Sequence, residues 1–427
     1  MILAIFLISI FTFLFLGVPV AFSILLTVLT MAEASGVTSY EIVPSYLYSG
    51  VNNFALLAIP FFVFCGDLMT AGDLSKGIVE FCRVLLGHVR AGIGYAAILA
   101  CMIFAALTGA AVVTISAIGG IMLPIMIKEG YDASDSTACV CAGSITGPII
   151  PPSLPMVIFG VLSGASVTKM FIGGVVPGVI TGLVCMLAWY FMNKNKNYAL
   201  MPKATPREVW TAFKKAFPAL MMPVIMMGGI LSGIFTPTEA GVVACVYAWA
   251  VSTFLYKKMN MKILKRVAIA SAKSTAVIML IVAACQALAM VITVARIPQA
   301  IAAAISAISS NPLVVMCLIN VFVLIVGLFM DVTPALTILT PIFLPIVVGI
   351  GMDPIVFGVT MVYGLCIGLI TPPVGNVLYI GIGISKITLL DLLKKIWPMV
   401  ALYTAVLFLM TAVPGLITFL PKLFAGA

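Results

Sequence analysis

The sequence predicts an all-α polytopic membrane protein, on three observations. Of its 427 residues, 63% are apolar and 8% are charged, against about 25% charged in soluble domains. Mean hydropathy is +1.28, so a soluble fold would expose a mostly apolar surface. The apolar runs are long rather than alternating, which argues against an outer-membrane barrel, and the composition excludes disorder.

The net charge of +9 is no nucleic-acid signature, because the 22 Lys and Arg sit in short loops between apolar runs. Basic loops stay in the cytoplasm. Lys76 to Arg90, Lys194 to Lys215, Lys257 to Lys273 and Lys386 to Lys395 are therefore expected inside. The loop holding Glu33 and Glu41 has no Lys or Arg and is expected outside. The ten cysteines are scattered through apolar segments without a CxxC pair and read as small buried hydrophobes. Met1 to Thr30 is uncharged and lacks a basic leader segment, so it reads as a retained membrane helix.

The crossings then follow in order. Residues 2–30 run outward, 52–71 inward, 134–163 outward and 171–192 inward. Residues 217–235 run outward and 238–256 inward. Residues 275–295 run outward, 354–384 inward and 397–420 outward. Two apolar stretches, 92–127 and 312–350, must enter and leave on one side for the flanking charges to stay in place. Each is about two short helices long. They are expected to be re-entrant helical hairpins, the first opening to the cytoplasm and the second to the outside. Their tips fall near Thr108 to Ser116 and near Gly327 to Thr333. A pair of full spans in each place would have the same parity.

The two halves align at a constant offset. Pro124, Gly130, Gly143, Gly147, Pro151, Pro152, Gly160 and Pro177 meet Pro345, Gly351, Gly364, Gly368, Pro372, Pro373, Gly381 and Pro398. Composition alone predicts about one or two such coincidences, so a repeat is accepted. The span at 217–235 makes the second half start from the opposite side, and the repeat is therefore inverted, as in many secondary transporters. The chain divides into a first repeat over 1–192, a cytoplasmic loop and connecting span over 193–237, and a second repeat over 238–420.

Adjacent prolines in the middle of spans 134–163 and 354–384 remove two N–H donors and unwind each helix. Carbonyls freed at membrane depth are tolerated where they line a cavity or bind something. Oxygen ligands and the negative ends of half-helices suit a hard cation such as sodium. Two sodium sites are therefore expected. The first joins Thr108, Gly109 and Ser116 at one tip to Gly143, Ser144, Thr146 and Gly147. The second joins Gly327, Asp331 and Thr333 at the other tip to Gly364, Gly368 and Thr371. The plainer alternative is a double kink that serves packing alone.

Asp331 interrupts an apolar run, which calls for a partner or a wet cavity. It reads as a sodium contact, as an acceptor for a substrate hydroxyl, or as a tip exposed to water. Arg296 ends span 275–295 and can clamp a substrate carboxylate, pair with Asp331, or anchor at the interface. Ser153 and Asn376 follow the two breaks, where either can hydrogen-bond a ligand at a half-helix N-terminus. Asp67 and Glu239 read as structural, with Thr238 as a cap beside Pro237. His88 reads as an interfacial side chain. The amphipathic stretches 73–90 and 297–310 read as interfacial arms or plain connecting helices. No GxxxxGK[ST], HExxH or GxSxG motif occurs, so neither ATP hydrolysis nor another enzymatic activity is expected, and transport energy must come from an ion gradient or a partner.

The paired proline breaks, Gly233-Ile-Phe-Thr-Pro-Thr-Glu-Ala240 and the Gly17-Val-Pro-Val-Ala21 opening resemble the large membrane subunit of tripartite ATP-independent periplasmic (TRAP) transporters, over essentially the whole chain. The resemblance implies sodium-driven uptake of an organic acid across the bacterial inner membrane, with sialic acid or a C4-dicarboxylate as cargo. It also implies an elevator motion of the hairpins and broken helices. The implied partners are a separate four-helix small membrane subunit and a soluble periplasmic binding protein. Rival expectations are a stand-alone carboxylate carrier, which needs no binding protein, and a channel, for which no polar stripe is found.

Overall fold

The computed structural model describes residues 2–35, 40–196, 198, 201–309 and 311–424. Among these residues the chain is helical, without strands. The helices are α1 (Ile2–Phe15), α2 (Val20–Ser35), α3 (Val43–Val51), α4 (Ala58–Ala71), α5 (Leu74–Leu86), α6 (Gly92–Thr108), α7 (Ala111–Thr114), α8 (Gly120–Lys128), α9 (Ala133–Ser144), α10 (Leu154–Ser163) and α11 (Val167–Asn193). After a linker follow α12 (Pro206–Leu231), α13 (Pro237–Ala250), α14 (Met261–Val294), α15 (Ile297–Ile308), α16 (Pro312–Gly327), α17 (Val332–Gly349), α18 (Pro354–Gly368), α19 (Asn376–Ser385), α20 (Leu389–Ala412) and α21 (Gly415–Phe424). Among the described residues, eight helical segments are long and apolar enough to cross a membrane by length and composition.

Packing falls into two groups, joined by short helices and by direct packing of α14 on α17 and of α4 on α6 and α10. In one group α14 packs on α2, α3 and α4, while α13 packs on α4 and α12. In the other, α9 packs on α6, α19 and α20, α18 on α16, α17 and α20, and α10 on α17. Helix α5 lies between α12 and α6, and α15 lies between α14 and α17. Both connecting helices begin after a non-glycine residue in the left-handed region, Asp73 (φ 60°) and Arg296 (φ 55°). The core is aliphatic and sulfur-rich; all ten cysteines are unpaired, and all but Cys317 are buried.

Several expected crossings change. Residues 2–30 are not one helix: α1 ends at a left-handed Gly17 (φ 78°), Pro19 follows, and α2 packs back on α1. At 14 and 16 residues, α1 and α2 are each about 21–24 Å long, short of the ~30 Å hydrocarbon core. The first step of the charge-based count therefore does not hold as drawn. Residues 397–420 also split, because Pro414 has no N–H to continue α20, and α21 turns to pack on α11. The basic loops are more helical than expected. Helix α12 starts at Pro206 behind a capping box made by Thr205 and Glu208, and α14 runs for 34 residues from Met261. Thr238 is not a cap: Thr236 holds that position, and Glu239 reaches back to its N–H at 2.8 Å. Only Thr236 has an acid three residues on; Thr238 has Gly241 there.

Candidate functional site

Each apolar stretch expected to be a hairpin is a helix–turn–helix, and its turn meets a broken helix. In the first, α6 ends at Gly109 (φ 62°), and the chain turns at Ala110 into α7. Its partner is the break at 145–153 between α9 and α10. Contact is backbone to backbone. A Cβ built on Gly147 would lie 2.8 Å from the Ala110 carbonyl carbon and 2.9 Å from its oxygen, so only glycine fits. A Cβ on Gly109 would meet the Pro152 carbonyl oxygen at 2.7 Å.

The second site has the same construction. Helix α16 ends at Gly327, residues 328–331 turn, and α17 begins. Its partner is the break at 369–375 between α18 and α19. A Cβ on Gly368 would collide with the Gly327 carbonyl. The Val374 N–H donates to the Leu328 carbonyl across the junction at 3.2 Å. The Pro151–Pro152 and Pro372–Pro373 bonds in the two breaks are both cis.

Two helix C-termini meet at each junction: α6 with α9, and α16 with α18. Their carbonyl ends carry partial negative charge. Thr146 and Ser144 are fully buried and donate their hydroxyl protons to Gly143 and Cys141 carbonyls, each at 2.7 Å. Thr371 is buried and donates to the Ile367 carbonyl at 2.7 Å. A hydroxyl that spends its proton on a carbonyl keeps oxygen lone pairs free for a cation. Among the described residues no three His, Cys, Asp or Glu side chains converge. The oxygen set at the first break is hydroxyl and carbonyl, and the second adds the single Asp331 carboxylate at its tip, which fits a hard monovalent cation better than a divalent one held by several carboxylates.

The expected residues fall as follows. Thr108, Gly109, Gly143, Ser144, Thr146 and Gly147 gather at the first junction, and Gly327, Gly364, Gly368 and Thr371 at the second. Ser116 stands apart: it is exposed, and its hydroxyl donates to the Val112 carbonyl one turn back. Residues 115–119 form a π turn, which rotates Ser116 out of phase with the tip. Thr114 takes the inward position instead, fully buried with its Oγ1 3.4 Å from that of Thr108. Nothing in its apolar surroundings marks Thr114 in the sequence. Thr333 is half-buried in the first turn of α17.

Ser153 is the buried N-cap of α10, accepting from Met156 N–H and donating to the Pro148 carbonyl. Asn376 opens α19, and its Nδ2 lies 3.4 Å from the exposed Asp331 carboxylate, to which it donates. Arg296 is exposed at the α14–α15 joint, and no ion pair joins it to Asp331. Asp67 accepts from Ser271 at 2.6 Å, joining α4 to α14.

At the base of α9, outside the apolar spans, Asp135 is buried between Lys196 and Lys395, the latter 2.9 Å away. Burial pulls the Lys196 pKa down, but the hydrogen bond and charge of Asp135 outweigh it and hold the ammonium above its ordinary value.

The chain that carries this double arrangement has relatives. A family model described as the tripartite ATP-independent periplasmic transporter, DctM component, matches residues 7–416. The chain belongs to the DctM family.

DctM relatives match along nearly its whole length. A putative TRAP transporter large permease protein of Haemophilus influenzae is 42% identical, over 94% of this chain and 95% of its own. The 2,3-diketo-L-gulonate TRAP transporter large permease protein of Escherichia coli is 40% identical with the same coverage. The sialic acid TRAP transporter large permease protein of Vibrio cholerae is 33% identical over 97% of both. Among solved structures, the YdaH transporter of Alcanivorax borkumensis aligns with a TM-score of 0.59 at 14% identity, over 88% of each chain. MtrF of Neisseria gonorrhoeae, an antimetabolite efflux pump, aligns at 0.60 and 11% identity, over 87% of this chain and 83% of its own. These two likenesses bear on fold alone. The DctM-family chain is thus a multi-pass protein of the bacterial inner membrane, from a family of transporters for organic acids.

Proposed function

We propose that this DctM-family subunit performs sodium-coupled uptake of an organic acid anion by an elevator mechanism. One observation carries the reading: two hairpin tips each seat on a proline-broken helix through a glycine contact with backbone. Gly147 and Gly368 do this at positions paired by the sequence offset, which supports an inverted repeat with one cation site per half. Cations bound there would neutralise converging carbonyl ends and favour an anionic cargo nearby. Asp331, Asn376 and Ser153 are the polar groups in this reading that face the cargo, with the exposed Arg296 as a carboxylate clamp. The hairpins are read as re-entrant, and they move with the broken helices against the α2–α4 and α12–α14 group. The arm helices α5 and α15 connect the two groups.

The cargo class follows the names of relatives. A diketo-gulonate permease at 40% identity and a sialic acid permease at 33% point to sugar-acid carboxylates, and C4-dicarboxylate relatives keep that class in view. The partners proposed are a small four-helix membrane subunit and a soluble periplasmic binding protein. A relative from Oleidesulfovibrio alaskensis, named as the isethionate TRAP transporter permease protein DctMQ, is 36% identical, and this chain spans 65% of it.

The test is uptake into proteoliposomes holding this chain and the small subunit, with the binding protein and a panel of labelled sugar acids and dicarboxylates outside. Uptake should collapse when potassium replaces sodium, and also when the binding protein is omitted. Uptake unchanged in potassium overturns the coupling; uptake unchanged without the binding protein makes the subunit a stand-alone carrier.

A further inference from the structure

A cleft of about 690 Å³ opens on the basic side of the protein, between α5 and the linker that enters α12. Arg83, His88, Lys203 and Arg207 line it, together with Glu80 and Glu208. Both carboxylates are already engaged. Glu80 pairs with Lys215 at 3.0 Å, and Glu208 accepts from Thr205 N–H at 2.7 Å and from its hydroxyl at 2.9 Å. Among the described residues no carboxylate lies within ion-pair distance of Arg83, Lys203 or Arg207. The Arg83 Nε is shut away from solvent and has no hydrogen-bond partner. A buried guanidinium N–H left without an acceptor is costly, and an oxyanion satisfies it.

The surroundings identify the kind of oxyanion. On another face of α12, Trp210 stacks on Phe213 at 5.6 Å, Phe213 meets Phe217 edge-on at 5.6 Å, and Phe81 of α5 lies tilted against Phe213 at 5.8 Å. Trp210 and Phe217 are exposed, and Lys214 sits 5.4 Å from the Trp210 ring. Exposed aromatics beside lysines mark the headgroup level of a bilayer. Basic pockets between helices on the cytoplasmic side suit anionic lipid headgroups. We infer that the α5–α12 cleft binds the phosphate of an anionic phospholipid, with Arg83, Lys203 and Arg207 as its donors. Free phosphate shares this chemistry; the exposed Trp210 and Phe217 on another face of α12 set this end of the helix at headgroup level, which argues for the lipid.

The assay is thermal unfolding of the purified full-length chain in detergent, titrated with short-chain phosphatidylglycerol, phosphatidylcholine, or inorganic phosphate. Phosphatidylglycerol should raise the melting temperature saturably, while phosphatidylcholine and millimolar phosphate should not. Each charge removed should weaken half-saturation about five-fold, taking about 1 kcal/mol per basic residue near a membrane surface. Arg83→Gln is the direct variant. The exposed pair Lys203→Gln with Arg207→Gln keeps the test sound if Arg83→Gln fails to fold, and Lys262→Gln, which does not line the cleft, should behave as wild type. Equal responses to the two lipids, unaltered half-saturation in the cleft variants, or an equal response to inorganic phosphate would each overturn the lipid site.

Discussion

Replacing Gly147 with alanine puts a methyl group 2.8–3.0 Å from the Ala110 carbonyl and the Ala111 nitrogen. These are main-chain atoms at a hairpin tip, so no side chain can swing aside. Reaching an ordinary contact of 3.4 Å requires the tip to retreat by about 0.6 Å, and overpacking of this kind costs about 1–3 kcal/mol. A cation held between tip and break would lose more, because its oxygens come from both sides of the widened gap. Sodium at a hundred times its dissociation constant adds about 2.7 kcal/mol of stability to the bound fold. The measurement is melting in sodium chloride against choline chloride at equal ionic strength. Gly147→Ala should melt lower in choline and should also lose most of the sodium-induced rise. Gly120→Ala is the control: nothing lies within 4 Å of that Cβ, and a helical Gly-to-Ala change is worth up to about 1 kcal/mol of added stability. Gly147→Ala with wild-type melting and a wild-type sodium increment would refute the argument that this backbone contact builds the cation site.

Three further outcomes are expected. Thr146→Val and Thr371→Val remove one hydroxyl at each junction while keeping shape, and each should lower the sodium response several-fold; Ser116→Ala, which faces away, should leave it unchanged, and equal effects of all three would count against the assignment. Asp135→Asn should cost about 1–2 kcal/mol, less than a fully buried pair, because Lys196 and Lys395 are 38% and 40% exposed and can turn to water. The folded-state pKa of Lys196 is raised, so its contribution is complete below the ordinary lysine value and is lost as pH rises through the raised one. Melting of wild type should therefore fall above about pH 10.5 more steeply than melting of Lys196→Gln; parallel curves would show that this ion pair does not contribute.

Glycine and proline carried most of what was legible in the sequence. They mark backbone geometry directly, so the two turns near Gly109 and Gly327 and the two breaks near Pro151 and Pro372 stand where their spacing puts them. Hydropathy was weaker at dividing continuous apolar stretches. The α1–α2 turn at Gly17 and Pro19, and the α20–α21 turn at Pro414, lie within such stretches, and no charge separates the helices. Side-chain direction was not legible at all around 114–119, where the π turn moves Thr114 inward and Ser116 outward. The Asp135 cluster joins residues 61 and 260 positions apart, a pairing that no local pattern encodes.

Because each tip meets its break through main-chain atoms, the fit at Gly147 and Gly368 is indifferent to most neighbouring side chains. Asp331 and Asn376 add a side-chain hydrogen bond across the second joint, but the backbone contact at Gly368 does not depend on it. If the proposed cargo face lies there, side chains around it can change while the backbone seat is inherited, which is a route by which one architecture diversifies its diet.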